Sequence, residues 1–308
     1  MATSESQLLN ETLFEQLSTP GMEKTAVDAI NDFTRTKMRE DGFLRRIMPP
    51  LQISNDELDR QVDTDKPVKV IDKEPDSPAA ISIPFATLPQ NVYIRGPRYR
   101  VHFHRIVSPR FTKDVDELRT YSMDIRQVLS DNAIKDMLAE EDGKFITAVN
   151  SACGTKGDPT ITAGAPQFID KTGGVTRENL VDSMKIMPGL PSRLETNTIL
   201  MNSVTVKDIL KFERTEAGGD LSQDMLLKGW SEGEVLGARL LVTIKSDLVL
   251  DGEAYFFADP KFIGKFFLIE DTTMYVKREA YMLEFFAYET VGATIGHTGG
   301  LVRVEYNT

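Results

Sequence analysis

Nine of the fifteen prolines fall within one stretch, at Pro49, Pro50, Pro67, Pro75, Pro78, Pro84, Pro89, Pro97 and Pro109. A proline lacks the backbone donor and clashes with the preceding helical turn, so this stretch can be neither a helix nor a central strand. It is not low-complexity sequence, because Val68, Val70, Ile81, Ile83, Phe85 and the Tyr99, Val101, Phe103 series are strand-type residues. The pattern predicts an extended, loop-rich excursion. A segment of this length without helices is usually either functional or disordered, and its apolar alternation favours function.

Within the excursion, Arg98, Arg100, His102 and His104 fall on one face of a predicted strand, with Tyr99, Val101 and Phe103 on the other. His102 and His104 could in principle share a metal. The run offers no third ligand, however, the arginines would repel a cation, and the remaining histidine is the distant His297. The cationic face is expected instead to meet acidic surface of another subunit.

Upstream, Val27, Ile30, Phe33 and Met38 recur at near-helical spacing and predict a helix over Met22 to Ile47, ended by Pro49-Pro50. Its end is basic. Lys37, Arg39, Arg45 and Arg46 lie there among Phe43, Leu44 and Ile47, and Arg45 and Arg46 join the intersubunit-contact candidates.

From Asp114 to Asn150 the apolar spacing is helical, with a break expected near Asp131 because Ser130-Asp131-Asn132 offers N-caps. Glu140, Glu141 and Asp142 read as a solvated helix face. Thr176 can cap a helix running to Met187, Thr198 to Met201 reads as a buried strand, and Ser203 or Thr205 can cap the next helix before a Gly218-Gly219 turn. Beyond Leu248 the chain reads as strands separated at Asp259-Pro260, Asp271 and Gly299-Gly300.

Length and charge restrict function. A chain of 308 residues corresponds to about two average domains. Thirty-six basic against 47 acidic residues give a net charge of −11, which disfavours sequence-specific DNA reading. The single cysteine, Cys153, excludes a disulfide framework and a Cys-clustered zinc site, and it is expected to be a small buried residue. No signal peptide or membrane-spanning run is read, and the Asn10-Glu11-Thr12 sequon is taken as a chance triplet. Gly154-Thr155-Lys156-Gly157 lacks the spacing of a phosphate loop, and no nucleophile elbow, zinc helix or dinucleotide fingerprint occurs. No catalytic residue, cofactor or metal is expected.

Taken in order, the segments resemble the major capsid protein of tailed bacteriophages with the Hong Kong 97-like fold. The likeness is carried by Arg35 to Pro50, Pro67 to Asp72 with Val101 to Arg105, Asp131 to Asn150, Thr198 to Asn202, Glu253 to Pro260 and Leu301 to Tyr306. The resemblance implies an α+β fold made of an N-terminal arm over 1–50 and an extended E-loop hairpin over 51–112. It further implies a P-domain over 113–175 and 250–308, with a long spine helix, and an A-domain over 176–249. It also implies self-assembly into hexamers and pentamers of an icosahedral virion shell, built in a bacterial cytoplasm and enclosing double-stranded DNA without sequence-specific contact.

The same resemblance implies a portal and a separate scaffolding protein as partners, leaves room for a decoration protein, and involves no membrane. No lysine, asparagine and glutamate set for covalent cross-links is placed. An encapsulin-like compartment enclosing cargo enzymes shares the implied fold, and a soluble enzyme with an unrecognised site is the remaining reading.

Overall fold

The computed structural model describes residues 42–61, 64–75, 80–89, 91–118, 125–160, 164–209 and 232–307. The predicted helix upstream of Gly42, the sequon and the Gly218-Gly219 turn lie outside the described residues.

A short helix, Phe43–Ile47, opens the described chain, and strand β1 (Leu51–Gln52) follows it. Strands β2 (Asp59–Arg60), β3 (Pro67–Asp72) and β4 (Arg98–His102) pair antiparallel as a small three-stranded sheet in the order β2-β3-β4. After them come β5 (His104–Val107), β6 (Phe111–Asp114) and a helix turn, Val115–Leu118.

The long helix runs without interruption from Ile125 to Cys153. The break expected at Asp131 does not occur, so Ser130, Asp131 and Asn132 lie within the helix rather than capping it. The buried face carries Ala133, Ile134, Met137, Leu138, Phe145, Ile146, Val149 and Cys153, a stripe at three- and four-residue steps. Phe145 stacks on Phe257 with ring centroids 5.7 Å apart.

The remaining strands are β7 (Phe168–Thr172), β8 (Thr198–Asn202), β9 (Glu232–Val235), β10 (Ala238–Thr243), β11 (Glu253–Phe257), β12 (Gly264–Glu279), β13 (Met282–Ile295) and β14 (Leu301–Asn307). They form two larger sheets. One has the order β7-β14-β11-β8-β10-β9, and its central strands β8 and β11 are buried at every position. The other has the order β1-β12-β13-β5, with β6 also paired to β13.

The six-stranded sheet takes β8, β9 and β10 from the segment expected as the A-domain and β7, β11 and β14 from that expected as the P-domain. Divisions at 175 and 250 therefore do not follow a sheet boundary.

Local chemistry agrees with much of the sequence reading. Thr176 Oγ1 accepts the Asn179 N–H at 3.2 Å and caps the helix Arg177–Met184. The helix Ser203–Ile209 is capped instead by Asn202, whose Oδ1 accepts the Val204 N–H at 3.1 Å. Asp271, expected to end a strand, lies inside β12. Thr273 pairs with Tyr288 and Glu270 with Thr290, so Asp271 and Thr272 together oppose the single residue Glu289 in a β-bulge. No helix among the described residues is long and apolar enough to cross a membrane.

Candidate assembly surfaces

The proline-rich excursion leaves the body through β3 and returns through β4, in a register that sets Val68 against His102, Val70 against Arg100 and Asp72 against Arg98. Alternation places Tyr99, Val101 and Phe103 on the face turned to β13. Two glycines admit them. A Cβ on Gly292 would stand 2.7 Å from Phe103 Cδ1, and one on Gly296 would stand 2.8 Å from Tyr99 Cζ. The apolar face of this strand is thus covered by its own chain.

What remains uncovered is the far end of the excursion. Phe85 (104%), Leu88 (89%) and Tyr93 (84%) are almost fully accessible, and Ile81, Ile83, Val92 and Ile94 are also exposed. So many exposed apolar side chains in one segment make it a candidate contact surface. Proline and the turn at Ala86, with φ of 65°, keep the described part of this end out of regular strand.

The predicted cationic face is partly realised. Arg98, Arg100 and His102 are exposed, and Arg98 Nε lies 2.7 Å from Asp72 Oδ1 in an open ion pair. His104 leaves that face. The strand changes sheets at Phe103, from pairing with β3 to pairing with β13, so Phe103 and His104 both turn inward and Arg105 and Val107 become the outward pair. His104 Nε2 is buried without a hydrogen-bond partner, in a cleft of about 50 Å³ lined by Leu44, Met48, Phe145 and Lys144. Burial, reinforced by the Lys144 charge, pushes its pKa down.

Arg45 is the larger correction. It is buried inside the subunit, with Nε 3.0 Å from Glu141 Oε2 and Nη2 2.7 Å from Glu141 Oε1. Nη2 also reaches Glu289 Oε2 at 3.2 Å, and Nη1 lies 3.7 Å from Asp271 Oδ1. Burial alone would lower the guanidinium pKa. The Glu141 hydrogen bond and charge, with Glu289 and Asp271, outweigh it and hold the pKa raised. Arg46 beside it is half-buried.

Glu141 and Asp142 are likewise buried rather than solvated, and of the three acids only Glu140 faces water. Asp142 Oδ1 accepts the Leu44 N–H at 3.0 Å, and its Oδ2 pairs with Lys245 Nζ at 2.6 Å. Burial raises the Asp142 pKa while Lys245 opposes the rise. A run of three acids in a helix gives no sign of which two point inward until the apolar stripe is phased through Leu138 and Phe145, and that phasing was the available signal. Nothing in sequence pairs Arg45 with Glu289, 244 positions away. Among the described residues, no group of three or more His, Cys, Asp or Glu side chains is arranged to hold a metal ion.

No family model and no curated protein matches the chain by sequence. Solved structures match it by shape. The capsid of the native GTA particle superposes with a TM-score of 0.60 at 15% identity, over 86% of this chain and 90% of that one. The mature capsid of bacteriophage PhiM1 gives 0.60 at 8% identity, over 86% and 87%.

The fold is the Hong Kong 97-like capsid fold. A virus-like particle from Pyrococcus furiosus shares it more distantly, with a TM-score of 0.52 at 11% identity over 91% of this chain and 99% of that one. Within the Hong Kong 97-like fold, the long helix Ile125–Cys153 packs on β13 and β14, and β4 of the excursion packs on β13.

Proposed function

We propose that the chain is a major capsid protein, a structural subunit that assembles with itself into hexamers and pentamers of an icosahedral, phage-type head enclosing double-stranded DNA. The observation that carries this reading is the apolar end of the excursion, Phe85, Leu88 and Tyr93, held out in water on a subunit whose fold is a capsid fold. Exposed surface of this kind is poorly soluble on a monomer and is accounted for when a second copy covers it.

In this reading residues 1–50 are an arm and 51–112 an E-loop. The Ile125–Cys153 helix with the β12–β13 hairpin forms a P-domain, and the segment 176–249 contributes an A-domain at the capsomer centre. Arg98, Arg100 and His102 flank the E-loop contact. A scaffolding protein and a portal are the further partners, a decoration protein could be added outside, and the assembled subunit resides in the virion.

Electron microscopy of the concentrated full-length protein tests assembly. Rings or closed shells are expected, and discrete monomers or dimers would overturn the reading. The likeness to the virus-like particle from Pyrococcus furiosus supports a second reading, an encapsulin-like shell around protein cargo. Double-stranded DNA inside particles from the native source, with genes for terminase, portal and protease nearby, favours the head. Enclosed enzyme and no such genes favour the compartment.

A further inference from the structure

Arg45 is one cation facing two buried carboxylates. Glu141 takes the bidentate position on the guanidinium, so the fork already satisfies the charge of Arg45. Glu289 is fully buried in the β-bulge opposite Asp271 and Thr272. Its Oε2 accepts the Thr272 hydroxyl at 3.1 Å and Arg45 Nη2 at 3.2 Å, while its Oε1 has no donor within reach. Glu141 Oε1 and Glu289 Oε2 both lie on Arg45 Nη2, at 2.7 and 3.2 Å, so two buried carboxyl groups crowd one donor. Two carboxyl groups gathered on a single cation in a dry site hold one proton between them, because like charges at this range are not both ionised there.

Among the described residues, Arg45 is the cation that pairs with Glu141 and Glu289. From the Phe43–Ile47 helix comes Arg45, from the long helix Glu141, and from the bulge Asp271, itself acidic. Farther out, Lys245 is engaged by Asp142, and Lys144 with Glu140 lies toward His104 on β5.

We propose that the Glu141–Glu289 pair beneath Arg45 is a one-proton latch that fastens the root of the N-terminal segment to the subunit body, closed while the pair holds its proton and opened by its loss. The latch joins three elements distant in sequence: the arm-root helix, the long helix and the hairpin. It is independent of the shell reading, since it concerns how one chain holds its own arm root.

Burial, and then the Glu141 charge, push Glu289 from an ordinary value of 4.5 up to about 9. Between those values the folded protein keeps a proton that the unfolded chain has released. The latch's contribution to stability is therefore complete below the lower value and is lost progressively as pH rises to the upper one.

The test uses full-length protein and compares wild type with Glu289→Gln and Glu141→Gln. Glutamine mimics a protonated carboxyl, so Glu289→Gln should keep neutral-pH stability and abolish the alkaline decline, while Glu141→Gln removes the anion of the fork and should be destabilised at every pH. Trypsin cleavage after Arg45 or Arg46, limited by local opening, should rise roughly tenfold per pH unit above neutrality in wild type and stay nearly level in Glu289→Gln. An infrared band of a buried protonated carboxyl at neutral pH, lost in Glu289→Gln, supports the latch without depending on any variant's stability. Absence of that band from wild type overturns it, as does an alkaline decline that survives in Glu289→Gln.

Discussion

The Leu44 N–H donates to Asp142 Oδ1 at 3.0 Å, across 98 positions of sequence, in a site closed to water. This bond satisfies a first-turn amide of the Phe43–Ile47 helix with a carboxylate from the middle of the long helix. One position along, Arg45 grips Glu141 from the same two elements. Phe43, Leu44, Ile47 and Met48 then fill the apolar space around them. The start of the described chain is anchored by burial and by charge at once.

Removing the cation is predicted to be costly. Arg45→Met keeps most of the side-chain volume but strands Glu141, Glu289 and Asp271 around an uncharged thioether. Breaking a buried pair from one side typically costs about 3–5 kcal/mol, and proton uptake by the stranded acids should recover part of that at low pH. Denaturant unfolding of Arg45→Met should show a loss near this size at neutral pH and a smaller one in acid. Lys245→Ala leaves buried Asp142 with the Leu44 N–H as its remaining donor and should lose about 1–3 kcal/mol, again less in acid.

The approach of β4 to β13 depends on two missing side chains. Gly292→Ala would set a methyl 2.7 Å from the Phe103 ring, and Gly296→Ala would set one 2.8 Å from Tyr99. Overpacking of this kind costs about 1–3 kcal/mol. Phe103→Leu should be milder in the Gly292→Ala background than in wild type, a coupling that a double-mutant cycle on melting temperature would measure. Additive losses would mean that the ring does not stand over the glycine.

Much of this architecture was legible from residues whose chemistry is local. Prolines excluded helix from the excursion, period-two alternation placed Tyr99, Val101 and Phe103 on one face, and Thr176 marked a helix start. The failures share a cause. Glu141, Asp142 and Arg45 look solvated in sequence because charge normally is, and their burial becomes affordable only through partners 96 or more positions away. His104 was misplaced because alternation persists only while a strand stays in one sheet, and this one changes sheets a residue earlier.

Cys153 is predicted to be inert. It is buried at the end of the long helix, and burial pushes its thiol up to about 12, with the Arg303 charge only partly opposing the shift. Because the thiolate is the reactive form, labelling by a thiol reagent at neutral pH should be negligible in the native protein and stoichiometric after unfolding. Fast labelling of the native state would mean that the end of this helix opens readily.

The excursion gives the sharpest separation between folding and assembly. The β3–β4 ladder packs on β13 through Val101 and Phe103, so a deletion reaching into β3 would strip cover from the body. Removing 74–96 and joining the strands by a short turn leaves that packing in place. The shortened protein should therefore melt close to wild type yet fail to form rings or shells by electron microscopy. Phe85→Ser with Leu88→Ser should act the same way, with stability changed by less than about 0.5 kcal/mol because neither side chain is packed in the subunit. Arg98→Ala with Arg100→Ala should weaken assembly more than folding, since the Arg98–Asp72 pair is open to solvent and contributes at most about 1 kcal/mol. Cooperative unfolding of the 74–96 deletion, or normal shells from it, would show that this end of the chain is not an intersubunit arm.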